Sequence, residues 1–134
     1  MHVLDRVVTL NLPPVMAHQA DAAYWEEWEM FGIPGGIQVF TLFNLSAFAL
    51  LLWCFVGVVK RKPFWLRASF IIEALSGVVL PIHAAFALAG FTQFHLPASI
   101  AIIVRTFVVS LWQASLTWRL RSQFSAAEPL NSAS

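Results

Sequence analysis

Charge is scarce in this sequence. Only 11% of its 134 residues are charged, whereas an ordinary soluble domain has roughly 25%. Eight basic and seven acidic residues give a formal net charge of +1, so no basic surface is available to neutralise phosphates, and nucleic-acid binding is excluded. With 59% hydrophobic residues, the composition predicts a membrane protein.

The sequence also lacks the residues of several common sites. A single cysteine, Cys54, excludes an internal disulfide and any metal site built from several cysteines. Gly35-Gly36 follows Pro34 with no downstream Lys-Ser or Lys-Thr, so neither a P-loop nor a dinucleotide-binding motif is present. No motif therefore identifies a cofactor.

Long apolar runs dominate the chain instead. Residues 37–59 hold no charge and at about 1.5 Å per residue cross the roughly 30 Å of a bilayer core. Residues 65–90 and 97–120 predict two further spans. The segment 13–31 is interrupted by polar residues, and it predicts a first helix that is either a short span or an interfacial helix. Asn11 is a candidate cap for this helix, with Pro13 and Pro14 in its first turn.

These helices predict an all-α fold, a polytopic transmembrane four-helix bundle over residues 1–121. A disordered cytoplasmic tail is expected at residues 122–134, which are small and polar. Basic residues cluster around the loop between the second and third helices and around the end of the last helix: Lys60, Arg61, Lys62, Arg67, Arg119 and Arg121. Their positions predict a multi-pass protein of a bacterial inner membrane with a cytoplasmic C-terminus and the lipid bilayer as its partner.

Several polar side chains fall inside these apolar segments. Charged groups near the bilayer centre cost at least about 2.5–3.5 kcal/mol, so they need partners or neutralisation. At about 1.5 Å per residue, Asp21, Asn44, His83 and Arg105 lie at one depth, roughly 10–15 Å from the outer boundary. An ion pair between Asp21 and Arg105 is the expected centre of this polar cluster.

The first helix contributes a stripe of functional groups to the cluster. His18, Asp21, Trp25 and Glu29 are spaced three, four and four residues apart and share one face, whereas the neighbouring Glu27 is expected at the solvated outer end. His18 and Asp21 are candidate metal ligands, because an imidazole and a carboxylate one turn apart suit Zn²⁺, Fe or Mn²⁺. A metal or haem site using His18 and His83 is a further alternative.

The third helix supplies a candidate acid–base pair. Glu73 and His83 are the only ionisable groups of its apolar run, residues 68–91, and a buried carboxyl can hold or pass a proton. Pro81 removes one backbone hydrogen bond and predicts a kink that frees the carbonyl of Gly77. We regard Glu73 and His83 as candidate catalytic residues.

The outer end of the first helix resembles a group of small bacterial membrane proteins of unknown activity. The resemblance rests on the His-x-x-Asp of His18 to Asp21, the Glu-Trp-Glu of Glu27 to Glu29, and the Pro-Gly-Gly-Ile-Gln of residues 34–38. The same segment is similar, more loosely, to the HXXEE-type small membrane proteins. This resemblance implies the helical architecture and a role for the stripe, without an activity.

The chain also resembles, faintly, the four-helix superfamily of sterol isomerases and the sigma-2 receptor. His18, Asp21 and Glu73 match the positions that line a pocket for a lipophilic amine or sterol in that superfamily. The resemblance implies a pocket for an apolar ligand between the helices.

Three functions remain open from the sequence. The polar cluster of His18, Asp21, Trp25, Glu29, Asn44 and Arg105 binds a lipophilic ligand or docks the chain in a larger membrane complex or homo-oligomer. Alternatively, the protein is a membrane-embedded isomerase that uses Glu73 and His83 on an apolar substrate. A metal or haem site is the third interpretation, and whether the protein is an enzyme stays open.

Overall fold

The computed structural model describes the backbone of residues 2–131 and the side chains of residues 2–124, and within that range all regular elements are helices. In chain order they are α1 (Val3–Tyr24), α2 (Glu27–Met30), α3 (Gly36–Val59), α4 (Trp65–Gly77), α5 (Val79–Leu88) and α6 (Pro97–Asn131). Among the described residues, three stretches are long and apolar enough to cross a membrane: Gly36–Val59, Trp65–Leu88 and Pro97–Phe124.

The first helix begins earlier and ends earlier than predicted. It begins at Val3 rather than at residue 13, and it passes through Pro13 and Pro14 without ending. Asn11 is not its cap, because the Asn11 amide is buried and donates to Gln113 Oε1 at 2.8 Å. This contact, together with the apolar packing of the first turns, holds the helix together upstream of the prolines.

Two helices, α4 and α5, replace the single helix predicted over residues 65–90. Val78 separates α4 from α5, three residues before Pro81. The Pro81 nitrogen has no hydrogen to donate to the carbonyl of Gly77, so the helix is interrupted where the sequence predicted a kink. At the carboxyl end, α6 continues to Asn131, over most of the segment predicted as a disordered tail; residues 132–134 lie outside the described range.

The interior has two apolar clusters at opposite ends. The larger one joins α1, α3 and α4 through residues such as Leu4, Val8, Leu51 and Ile72. The smaller one joins α1, α5 and α6 around Ala22, Val79, Phe94 and Ile103. Buried polar groups lie between and beside these clusters.

α1 runs the full length of the helical assembly. Near its start, Asp5 pairs with Arg61 of the α3–α4 loop at 3.0 Å. Beyond its other end, the Trp25 indole donates to Ser99 Oγ in the first turn of α6 at 3.4 Å. The amino terminus and the basic loop therefore lie at one end, and the α1–α2 turn and the start of α6 at the other.

Candidate functional site

Two histidines and one glutamate from three helices meet in the interior. His18 lies on α1, Glu27 on α2 and His83 on α5. His83 Nε2 is 3.3 Å from His18 Nε2 and 3.6 Å from Glu27 Oε1. The residues are 2%, 7% and 8% exposed in chain order. We call this group the His–Glu triad.

A left-handed turn at Glu26 brings Glu27 into the triad. On one continuous helix Glu27, nine residues after His18, would lie two and a half turns further on and face the opposite side. Instead α1 ends at Tyr24, and Glu26 has a φ of 53° as the residue before α2. Glu27 is consequently buried, contrary to the expectation that it lies at a solvated helix end. Helical periodicity gives no sign of this turn, because glutamate rarely adopts a positive φ.

Phe94 covers the two imidazoles. Its ring centroid lies 4.2 Å from that of His83 and 5.8 Å from that of His18. The residue is buried and has a φ of 60°, a conformation that bulky side chains rarely adopt. The α5–α6 loop thus places an aromatic ring against the triad at a cost in backbone strain. No sequence pattern pointed to this residue.

An apolar cavity of about 310 Å³ extends from the triad between α1, α3 and the consecutive helices α4 and α5. We call it the triad cavity. Its polar lining residues are His18, Gln19, Glu27 and His83, and the other lining residues are apolar. Among those, Phe31, Phe43 and Val78 are also exposed on the outer surface. The cavity therefore has an apolar mouth and a buried polar group of three side chains.

Burial changes the acidity of the triad carboxyl. Glu27 lies on α2, which precedes Gly36–Val59 and is outside the three stretches long enough to span a membrane. Desolvation, and then the nearby negative charge of Asp21, raise the pKa of Glu27 to about 7. The carboxyl can therefore exchange a proton near neutral pH.

The predicted ion pair between Asp21 and Arg105 is not formed. Asp21 Oδ1 accepts a hydrogen bond from Ser99 Oγ at 2.9 Å. Arg105 is exposed and lines a separate shallow depression beside Pro13 and Pro14. The pair was predicted only from the similar membrane depths of the two residues, but their side chains leave the helices in different directions. Asp21 is also outside the group of potential metal ligands that contains His18.

The other members of the predicted cluster lie outside the His–Glu triad. Trp25 is half-buried and bonds to Ser99, whereas Glu29 is exposed. Asn44 is buried, and its Nδ2 donates to the Phe40 carbonyl of its own helix at 3.0 Å. Of the residues predicted from the sequence, the structure brings His18 and His83 into contact and joins Asp21 and Trp25 through the Ser99 hydroxyl.

Glu73 belongs to a different polar group from His83. Its Oε2 accepts a hydrogen bond from Thr117 at 3.1 Å. Thr117 and Ser69 are joined at 2.8 Å, and Gln113 donates to Ser69. The two side chains predicted as an acid–base pair thus have separate partners, and Glu27 replaces Glu73 as the carboxyl nearest His83.

A comparison with protein families finds one match over most of the chain. Residues 4–120 match a protein family described as a family of unknown function (DUF6713). The chain belongs to the DUF6713 family. The DUF6713 match includes all three triad residues and the helices that carry them.

The family description assigns no activity. No curated protein and no solved structure matches the chain. Membership in DUF6713 agrees with the expected kinship to proteins of unknown activity, but the motif resemblance and the sterol-isomerase resemblance are not confirmed. The function of this DUF6713 protein therefore has to be inferred from its site.

Proposed function

We propose that this DUF6713 protein is a multi-pass membrane protein that binds a lipophilic molecule in the triad cavity. The ligand's polar group contacts the His–Glu triad and its apolar part fills the remainder. The observation that carries this proposal is the cavity itself, an apolar space of about 310 Å³ with its ionisable groups gathered in one buried cluster. Ligand sites typically combine an apolar wall with a few convergent polar groups in a volume of roughly 300–1,000 Å³.

The position of the mouth supports a ligand that comes from the bilayer. Phe31, Phe43 and Val78 line the cavity and are exposed. Phe43 and Val78 belong to stretches long and apolar enough to cross a membrane. In a bilayer such a mouth opens toward acyl chains, so an apolar molecule enters without crossing water.

In this proposal α1 is a fourth span, with both chain ends on the cytoplasmic side of a bacterial inner membrane. The Asp5–Arg61 pair supports this topology, because it joins the start of α1 to the basic loop. Basic loops favour the cytoplasmic side. The 22 residues of α1, at about 1.5 Å each, extend over roughly 33 Å, which is enough for a bilayer core.

Photolabelling tests the ligand proposal. Protein in native membranes is irradiated with a long-chain alcohol that carries a diazirine, and the labelled peptides are mapped by mass spectrometry. We expect labels on α3 and α5 residues of the cavity. Ala47→Phe fills the cavity and should abolish the labelling, whereas Ala49→Phe, on the exposed side of the same helix, should leave it unchanged.

Equal labelling of the two variants would reject the cavity as the binding site. If, in addition, the wild-type protein is unlabelled but co-purifies with another membrane protein in mild detergent, the accessory-subunit alternative is favoured. The two variants must first elute as single species in gel filtration, which shows that they are folded.

A second candidate function is proton-transfer catalysis on the bound molecule. The specific observation is the carboxyl–imidazole contact of 3.6 Å between Glu27 and His83 beside the apolar cavity. Deuterium exchange into an isoprenoid substrate by the purified protein, lost in Glu27→Gln but kept in Glu29→Gln, would support it. No exchange above the Glu27→Gln background would reject it.

A further inference from the structure

We propose that His18, Glu27 and His83 bind a divalent first-row transition metal, Zn²⁺ or Fe²⁺. This site goes beyond the proposed ligand binding and does not depend on it. His18 and His83 were the alternative ligand pair expected from the sequence, and Glu27 takes the place that was expected for Asp21. No spacing pattern predicted Glu27 as a ligand.

The distances fit a shared ion. Two nitrogens bound to one tetrahedral zinc at about 2.0–2.1 Å are separated by roughly 3.3 Å. The Nε2 atoms of His18 and His83 are 3.3 Å apart, and Glu27 Oε1 is 3.6 Å from His83 Nε2. All three ligand atoms lie within 4.8 Å of one another. An ion between them can therefore contact the three groups with small side-chain movements.

The chemistry of the three groups fits the same class of ion. Two imidazoles and one carboxylate form the protein ligand set of several catalytic zinc sites and of non-haem Fe²⁺ sites. Three protein ligands leave at least one coordination position for a further ligand. Since all three residues line the triad cavity, that position is expected to face the bound molecule.

Charge balance is an independent argument. A buried carboxylate requires a positive partner. Within the described part of the chain, the ion pairs include none between Glu27 and a lysine or arginine, and the neighbouring His83 imidazole is positive only when it is protonated. A divalent cation supplies the missing positive charge and joins two imidazole nitrogens that otherwise face each other.

Metal analysis of the full-length protein tests the site. The protein is purified in mild detergent through a tag without histidine, from cells grown without chelators, and its metals are measured by inductively coupled plasma mass spectrometry. We expect about one Zn or Fe per chain in the wild type. The double variant His18→Ala/His83→Ala should retain less than about one tenth of that amount.

Matched controls separate the triad from other residues of the same type. His95→Ala and Glu29→Gln remove an exposed histidine and an exposed glutamate, and both should keep the wild-type metal content. Glu27→Gln should lower it. A wild-type metal content no higher than that of the double variant would count against the site.

Cobalt spectroscopy keeps the test independent of the variants' folding. Co²⁺ is added to wild-type protein that has been stripped with a chelator, in detergent without any added lipophilic ligand. Visible d–d absorption bands that saturate near one Co²⁺ per chain are expected. If such bands are missing and the purified protein is metal-free, the metal proposal is overturned, while the photolabelling result on the cavity stands by itself.

Discussion

Arg61 Nη2 lies 3.0 Å from Asp5 Oδ1, and this contact joins the start of α1 to the loop between α3 and α4. It is an ion pair rather than an aligned hydrogen bond, since Asp5 Oδ1 has no hydrogen-bond partner in the described residues. The Arg61 guanidinium also lies over the Trp65 ring at 4.5 Å from its centroid. The basic loop and the amino-terminal helix are thereby fixed to each other.

Asp5→Asn should lower the free energy of unfolding modestly. Arg61 is about one third exposed, so water screens the pair, and a loss of about 1 kcal/mol is expected. SDS titration of the protein in mixed micelles measures this difference. A double-mutant cycle with Arg61→Gln should show coupling, whereas Arg6→Gln, at an exposed position, should show none. Additive effects of Asp5→Asn and Arg61→Gln would contradict the pair.

Gln113→Leu should be more destabilising than Asp5→Asn. Gln113 is fully buried; its Nε2 donates to the carbonyl and hydroxyl of Ser69, and its Oε1 accepts from Asn11. Leucine leaves the Asn11 amide buried without this acceptor, which costs about 1–3 kcal/mol. Gln123→Leu, at an exposed position of the same helix, is the control in the same titration. Equal effects of the two changes would show that the buried hydrogen bonds contribute little.

Gly57→Ala should weaken the packing of α3 against the α3–α4 loop. A Cβ at Gly57 would lie 2.6 Å from Phe64 Cε2. The Phe64 ring is stacked on Trp53, with centroids 4.3 Å apart, so it cannot move aside without losing that contact. A loss of about 1–3 kcal/mol is expected. In a Phe64→Ala background, Gly57→Ala should lower the free energy of unfolding much less. An equal loss in both backgrounds would show that the added methyl group does not clash with Phe64.

Cysteine labelling tests the proposed orientation. After Cys54→Ser removes the native thiol, Lys62→Cys and Thr92→Cys place single exposed thiols in the α3–α4 and α5–α6 loops. A membrane-impermeant maleimide added to spheroplasts should label Thr92→Cys and not Lys62→Cys, because the basic loop is cytoplasmic in the proposed topology. Permeabilised cells, in which both should react, provide the control. The reverse labelling pattern would invert the topology.

The second predicted helix, residues 37–59, agrees with α3 to within one residue. An uncharged apolar run of this length is sufficient to specify a helix, because in hydrocarbon the backbone groups must bond within the segment. The break near Pro81 was likewise predictable, since proline lacks the backbone hydrogen whatever its surroundings. The start of α1 was not predictable, because the Asn11 side chain is a candidate cap by sequence but bonds to Gln113 on a distant helix.

For this protein, composition, span lengths and the place of the helix break were determined by the sequence, because they depend on local chemistry and hydrophobic runs. The partners of the buried polar groups were decided by tertiary structure. Asp21 and Arg105 share a depth but do not share a direction, and Glu27 joins His18 and His83 through a left-handed turn at Glu26. Depth follows from counting residues, whereas direction depends on how each helix is rotated against its neighbours, and that rotation is set by packing across the whole chain.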